Sequence, residues 1–182
     1  MIMPGIIASS GGLATSFESI ATVTVGAGGS ATVSFTSISS TYQHLQIRGF
    51  YTTSTGGQVV QIRVNGDSVF NYSFHSLIGQ GSAASADATS STDKFPIFGR
   101  QVGTSTTNPT VSVVDLLDYQ TTSKYKTFRS LSGMDANGSG EVNFISGLWQ
   151  NTSVVSSIEI SPYNGAIYFK QYSTFALYGV KA

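Results

Sequence analysis

The chain has 182 residues, of which 10% are charged, with nine basic and nine acidic residues in balance and no cysteine. A chain of this length is expected to fold as one domain without a metal or a disulfide, and the lack of cysteine excludes thiol catalysis and thiolate metal sites. A neutral, charge-poor chain is a weak electrostatic partner, so binding to nucleic acid or to an anionic membrane is not expected.

The first residues, 1–16, are predicted to form an extended arm, because their apolar residues are interrupted by a Pro-Gly pair and show no strand periodicity. The segment has no basic residue, so it does not fit a secretory signal, and no stretch approaches the roughly 18 apolar residues of a membrane span. Either the arm is a flexible tail, or it docks Ile2, Ile6 and Ile7 onto a neighbouring subunit.

The remainder, residues 17–182, is predicted to be a single β domain, because apolar and polar residues alternate with a period of two. Its first half contains five candidate strands, with the sequences ESIATVTV, ATVSFTSI, QHLQIRGFY, QVVQIRV and SVFNYSFH. Asn65-Gly66 lies between the last two and predicts a hairpin. The small-residue stretch GQGSAASADATSST that follows is predicted to be a loop.

The second half continues the strand pattern. Pro96 assigns KFPIFGRQV to a sheet edge, whereas TVSVVDLLDY is apolar on both faces and is predicted to be central. KYKTFRSL precedes a turn at GMDANGSG, EVNFISGLW and VVSSIEI are predicted to pair through QNTS, and residues 166–180 form the last strand. About ten short strands and no helix favour an all-β fold, an antiparallel β-sandwich with a jelly roll as the preferred form.

The predicted last strand is apolar on both faces, although a sandwich strand with one wet face should alternate apolar and polar residues. One face would meet the core. The other carries Tyr168, Tyr172, Tyr178 and Val180, which predicts a contact with a second subunit, because Tyr is common where subunits meet. The alternative is that these tyrosines are exposed or lie beneath a loop.

Motifs for catalysis, metals or cofactors are weak. The stretch GAGGSA matches part of the dinucleotide-binding pattern, but a strand follows where that pattern needs a helix. Asp135, Asn137 and Ser139 match the first half of a calcium loop. Ser146 occupies the place of the closing carboxylate, so a turn with Asn137 or Gly138 at positive φ is the alternative. We expect no enzyme activity, no cofactor and no metal.

Two further features have a structural and a functional interpretation. The basic cluster of Lys124, Lys126 and Arg129 is either a solvated strand face or a docking site for an acidic patch on another protein. Trp149 is expected to be buried, and the alternative is a platform on which a sugar ring stacks, with tyrosines nearby in sequence.

A resemblance covers residues 42–182. It is carried by an ordered series of segments, namely TYQHLQIRG, RVNGDSVFNYSFHSLIGQGS, LLDYQTTSKYKTFRSLSGMDANGSG, SGLWQ, SSIEI and the terminal FALYGVK. The series resembles small structural proteins of tailed-bacteriophage virions. The resemblance implies an oligomeric β-sandwich in the virion and no catalytic residues.

The first function that the resemblance implies is a capsid decoration, or cement, protein that binds the major capsid protein and stabilises the shell. A homotrimer is expected, because phage β-sandwich decoration and fibre proteins commonly lie on three-fold axes. The alternatives are a tail-fibre or receptor-binding domain for a host-surface glycan, and a carbohydrate-binding module of non-viral origin. The candidate docking residues for the capsid are Ile2, Ile6, Ile7, Lys124, Lys126 and Arg129.

Overall fold

The structure of the protein is a computed structural model, which describes residues 16–98 and 102–181. In chain order its strands are β1 (Phe17–Thr24), β2 (Val33–Phe35), β3 (His44–Tyr51), β4 (Val60–Val64), β5 (Tyr72–Gln80), β6 (Ala83–Thr92), β7 (Phe95–Phe98), β8 (Thr110–Leu117), β9 (Lys126–Asp135), β10 (Gly140–Trp149), β11 (Ile158–Pro162) and β12 (Thr174–Val180).

The strands form two antiparallel sheets, and the described residues include no helix. The larger sheet has eight strands in the order β1-β12-β3-β8-β9-β10-β5-β6, and the smaller has four in the order β2-β11-β4-β7. The predicted β-sandwich is confirmed, with twelve strands rather than about ten. The jelly-roll form stays a prediction. The edge position of the strand with Pro96 and the central position of β8 are confirmed.

The core lies between the sheets and is rich in aromatic rings. Leu45, Ile47 and Tyr51 alternate along β3 and are buried, as their period-two spacing predicts. The ring of Tyr51 stacks on Phe175 with centroids 5.2 Å apart, and Phe169 meets both rings edge-on. Offset and edge-on aromatic pairs of this kind stabilise a core beyond the area that they bury.

The stretch predicted to be a loop is a strand. β6 pairs with β5 along the edge of the eight-stranded sheet, and its residues are exposed on both faces. The prediction failed because Ala, Ser and Thr dominate the segment. Without apolar alternation, a strand at a sheet edge has no periodic signal.

Two predicted hairpins are instead connections between the sheets. Asn65 and Gly66 do turn with positive φ, at 52° and 65°, but β4 and β5 belong to different sheets. β10 and β11 are likewise in different sheets, so they do not pair. Turn chemistry therefore identified where the chain reverses and not which strand lies beside which.

The last strand is shorter than predicted. β12 begins at Thr174, and the preceding segment contains a turn in which Tyr172 has a φ of 71°, which ends the extended run. β12 lies between β1 and β3, so both of its edges are already paired. Its inward residues Phe175 and Leu177 are fully buried, as the alternation predicts.

Candidate protein-binding surface

The outer face of the eight-stranded sheet, which points away from the four-stranded sheet, carries a group of large apolar side chains. Six of them are between 47% and 59% exposed. We call these six the apolar band: Phe50 of β3, Val111 of β8, Leu131 of β9, Val142 and Phe144 of β10, and Leu77 of β5.

The strand register places the members of the apolar band side by side. Leu131 lies opposite Phe144, and Phe144 lies opposite Leu77. In the neighbouring row, Phe50 lies opposite Val111. Because directly opposed residues of an antiparallel pair share a face and stand about 5 Å apart, the band is continuous across five strands.

Two strands that carry the apolar band, β9 and β10, reverse the usual sandwich pattern beneath it, because their polar residues there point inward and their apolar residues point to solvent. In β9, Ser130 and Ser132 point to the interior and are buried, while Leu131 points to solvent. In β10, Asn143 is fully buried, while Phe144 is half exposed. Since the apolar side of a strand normally packs on the core, the outer face has the composition of a second packing surface.

Hydrogen bonds pair several of the inner polar residues, although Ser132 Oγ and Asn143 Oδ1 are buried without a hydrogen-bond partner among the described residues. The hydroxyls of Ser112 and Tyr51 are 2.7 Å apart, and Ser130 Oγ donates to the carbonyl of Ile97 at 2.7 Å. Asn143 Nδ2 donates to a carboxylate oxygen of Glu141. Polar side chains bonded in this way are tolerated inside a protein, so this part of the sheet keeps its polar side inward.

The apolar band is large for a monomer. Each half-exposed side chain leaves on the order of 100 Å² accessible, so the six together expose about 600 Å², at the upper end for the largest apolar patch of a typical soluble monomer. A standard protein–protein interface takes about 800 Å² from each partner. The band and its border therefore supply most of the area that a specific complex requires.

A polar row borders the apolar band. Gln46 Nε2 donates to Asp115 Oδ1 at 2.8 Å, and Arg129 lies opposite Asp115 in the β8–β9 ladder. The row continues through Ser146 to His75 on β5. An apolar centre with a polar border of both charges is the usual anatomy of a protein–protein interface.

One end of the apolar band is concave. Gly133 lies between Val111 and Val142 in the sheet, and Gly79 follows Val142 on the next strand. With no side chain at either glycine, the surface forms a depression of about 500 Å³ that extends to the β9–β10 turn. A protruding side chain of a partner could enter this depression.

The structure does not bring the four predicted interface residues together on one strand. Tyr178 and Val180 lie on the outer face of β12, where the guanidinium carbon of Arg48 is 5.2 Å from the centre of the Tyr178 ring. Tyr168 and Tyr172 are exposed, but they precede β12. The prediction that all four share one strand face is wrong, because the turn at Tyr172 separates them.

The basic cluster is not a single surface. Lys126 is fully buried, and its Nζ donates to the carbonyls of Thr121, Lys124 and Thr152. Burial lowers the pKa of Lys126, although the carboxylate of Asp118 opposes that effect. With its ammonium enclosed by these carbonyls, Lys126 cannot act as the predicted docking residue.

The other two basic residues are on the surface, but they differ in their contacts. Lys124 is exposed and precedes β9, so it does not share a strand face with Lys126. Its Nζ lies 2.5 Å from Asp118 Oδ2, and this hydrogen bond lowers the pKa of the Asp118 carboxyl. Arg129 is exposed in the polar row beside the apolar band. Only Arg129 therefore borders the candidate surface.

Trp149 is buried, as expected, which excludes it as a platform for a sugar ring. Its Nε1 donates to Asp67 Oδ2 at 2.7 Å. Burial raises the pKa of Asp67, but hydrogen bonds from Asn71, Trp149 and Val69 outweigh it, and the net effect is a lowered pKa. This carboxylate fixes the indole at the end of β10.

The turn proposed as an alternative to a calcium loop has the predicted geometry. Asn137 and Gly138 have φ values of 59° and 89°, and the amide of Gly138 donates to Asp135 Oδ1 at 3.3 Å. Within residues 16–98 and 102–181, no three side chains of the His, Cys, Asp and Glu types are grouped as a metal site would require. The predicted docking residues Ile2, Ile6 and Ile7 lie outside the described residues.

Sequence reasoning missed the apolar band. One signal was present, because the β8 segment is apolar on both of its faces and was therefore assigned a central position. A strand in the middle of a sheet still has one face toward solvent when only one side is covered. Excess apolar character on such a strand is thus a sign of a second covered face.

Comparison with family models, with curated proteins and with solved structures gives no significant match to this chain. In the part of the chain that the structure describes, no helix is long and apolar enough to cross a membrane.

Proposed function

We propose that this protein is a structural protein of a bacteriophage virion, and specifically a capsid decoration protein that binds the major capsid shell through the apolar band. The observation that carries the proposal is the outward apolar face of β3, β8, β9, β10 and β5. The resemblance of residues 42–182 to virion structural proteins supplies the identity of the partner.

The physical basis of this function is mass action. A protein that binds only the assembled shell stabilises that shell by its free energy of binding. Covering about 600 Å² of apolar surface is worth on the order of 15 kcal/mol before the cost of association is subtracted. Association itself costs on the order of 4–15 kcal/mol, so the net affinity depends on how well the partner fits the apolar band. Self-association as a homotrimer, located in the virion with the shell, is part of the proposal.

The direct test is co-sedimentation of the purified protein with shells that lack it. Phe144→Asp and Leu131→Asp each place a charge in the middle of the apolar band, so each should weaken shell binding by more than about tenfold. The matched control is Phe70→Asp, because Phe70 is 70% exposed but lies outside the band. Undiminished binding of both band variants would refute the assigned surface.

The number of copies in each particle separates decoration from the tail alternative. Quantitative mass spectrometry of purified virions should find hundreds of copies if the protein decorates the shell. A few dozen copies would favour a tail-fibre or receptor-binding domain, and absence from the particle would contradict a virion function altogether.

A further inference from the structure

One end of the sandwich has a shallow groove between two exposed tyrosines. Tyr168 and Tyr172 border a space of about 320 Å³, and Tyr172 is 69% exposed. The volume is at the lower end of the range for small-molecule sites. The remaining residues that line the groove are Gly28, Gly29, Thr106, Lys170 and Gln171.

Tyr172 is held in an unfavourable backbone conformation. Its φ of 71° lies in the left-handed region, which bulky residues rarely adopt. Its amide donates to the carbonyl of Val25 at 3.0 Å, and its carbonyl accepts from Thr174 Oγ1 at 3.3 Å. Because the turn is fixed while the ring contributes little to the core, the strain is more consistent with a ligand contact than with packing.

Tyr168 is also fixed before any ligand binds. Two hydrogen bonds hold its backbone in place. Its amide donates to Ser54 Oγ, and its carbonyl accepts from the Ser54 amide. The ring lies against Gly29, where an added Cβ would be 2.3 Å from Tyr168 Cδ2. One side of the ring thus packs against the backbone at Gly29. A rigid aromatic ring with low remaining entropy is an efficient binding element.

The polar groups of the groove suit hydroxyl groups. Lys170 Nζ donates to the carbonyl of Thr104 at 2.8 Å, which positions the amine and leaves further N–H donors. Gln171 and Thr106 are exposed and supply both donors and acceptors. Lys170 is the one charged side chain among the residues that line the groove, so it offers little to a polyphosphate.

We propose that this groove binds a saccharide, with the apolar face of a pyranose ring stacked on Tyr172 or Tyr168 and its hydroxyls bonded to Lys170, Gln171 and Thr106. This site goes beyond the proposed function and does not depend on it. The competing interpretation is a contact with protein, because Tyr172 also borders a small cleft beside Phe50, at the end of the apolar band.

The test begins with a panel of immobilised neutral and acidic hexopyranose oligosaccharides, followed by calorimetric titration of the best-bound one in solution. Tyr172→Ala should lower the affinity by at least about tenfold, because stacking on an aromatic ring supplies much of the binding in such grooves. Gln171→Ala should give a smaller loss. The control is Tyr163→Ala, since Tyr163 is 65% exposed and is not among the groove residues.

Two outcomes would overturn the saccharide site. The first is a panel on which the intact protein binds no oligosaccharide better than Tyr172→Ala does. The second is a change in molar mass, measured by light scattering, that accompanies Tyr172→Ala while the melting temperature is unchanged, because that result assigns Tyr172 to a protein contact. Shell binding by Tyr172→Ala is expected to stay normal, which separates failure of this site from failure of the decoration function.

Discussion

On the inner face of the eight-stranded sheet, the ring of Phe128 stacks on Phe95 with centroids 4.8 Å apart and is hidden from solvent. On the outer face of the next strand, Phe144 is half exposed between Leu131 and Leu77. The two rings are chemically identical, but the inner one contributes far more to the stability of the isolated chain. Apolar content therefore does not by itself distinguish residues that fold a subunit from residues that bind a partner.

The largest expected effect tests this difference directly. Phe128→Ala should lower the free energy of unfolding by about 3–5 kcal/mol, because it leaves a cavity in the core. Phe144→Ala should cost less than about 1 kcal/mol, because its ring is already half in water. Urea unfolding of dilute protein, followed by circular dichroism, measures both. Equal losses would mean that the outer face is as important to the fold as the inner one.

The second comparison uses two cations on opposite faces of β9. Lys126→Met should destabilise the protein by about 2–3 kcal/mol, because the carbonyls of Thr121, Lys124 and Thr152 lose their charged donor. Arg129→Met, on the outer face, should change the free energy of unfolding by no more than about 0.5 kcal/mol. Thermal unfolding of the two variants beside the intact protein gives the values. A harmless Lys126→Met would show that water replaces the ammonium.

The smallest effect concerns the carboxylate that fixes Trp149. Asp67→Asn should cost about 1 kcal/mol of unfolding free energy at neutral pH. The two carboxylate oxygens of Asp67 accept from Val69, Asn71 and Trp149, and the substitution replaces one of these oxygens by an N–H donor. The folded-state pKa of Asp67 is lowered, so its contribution is present above the unfolded pKa of about 4 and is lost as the pH falls through the folded value.

The stability difference between intact protein and Asp67→Asn should therefore be constant from pH 7 to about pH 5 and shrink below about pH 4. Urea unfolding at a series of pH values measures the difference. A difference that grows on acidification would contradict the assigned role, because it would require a raised pKa in the folded state.

Much of the fold could be predicted because the local pattern and the tertiary environment agree. In β3, the alternation of Leu45, Ile47 and Tyr51 correctly predicts which face of the strand is buried. In β10, the alternation of Val142 and Phe144 identified the strand but not its orientation, since these residues face outward and Asn143 faces inward. Orientation depends on which side the second sheet covers, and that is a long-range property.

The candidate site was harder to predict than the fold for the same reason. The apolar band combines residues from five strands that are distant in sequence, and the β9–β10 ladder and its neighbours bring them together only in the folded state. The groove between Tyr168 and Tyr172 depends on a left-handed backbone conformation at Tyr172. Conformational propensity does not predict it, because aromatic residues rarely adopt this conformation. The sequence leaves the exposure of Tyr168 as one of two alternatives, and no local pattern predicts that its ring packs against Gly29.

The pairing of β1 with β12 has a consequence for biosynthesis. Phe17 lies opposite Val180, so the earliest described strand is completed by the latest one. The strand β3, which lies between them in sequence, also pairs with β12 along one of its edges. Pairings that close such long loops form slowly and cannot form before the later strand has been synthesised. During translation β1 thus leaves the ribosome well before its neighbour, and this edge of the sheet can form only once β12 has been made.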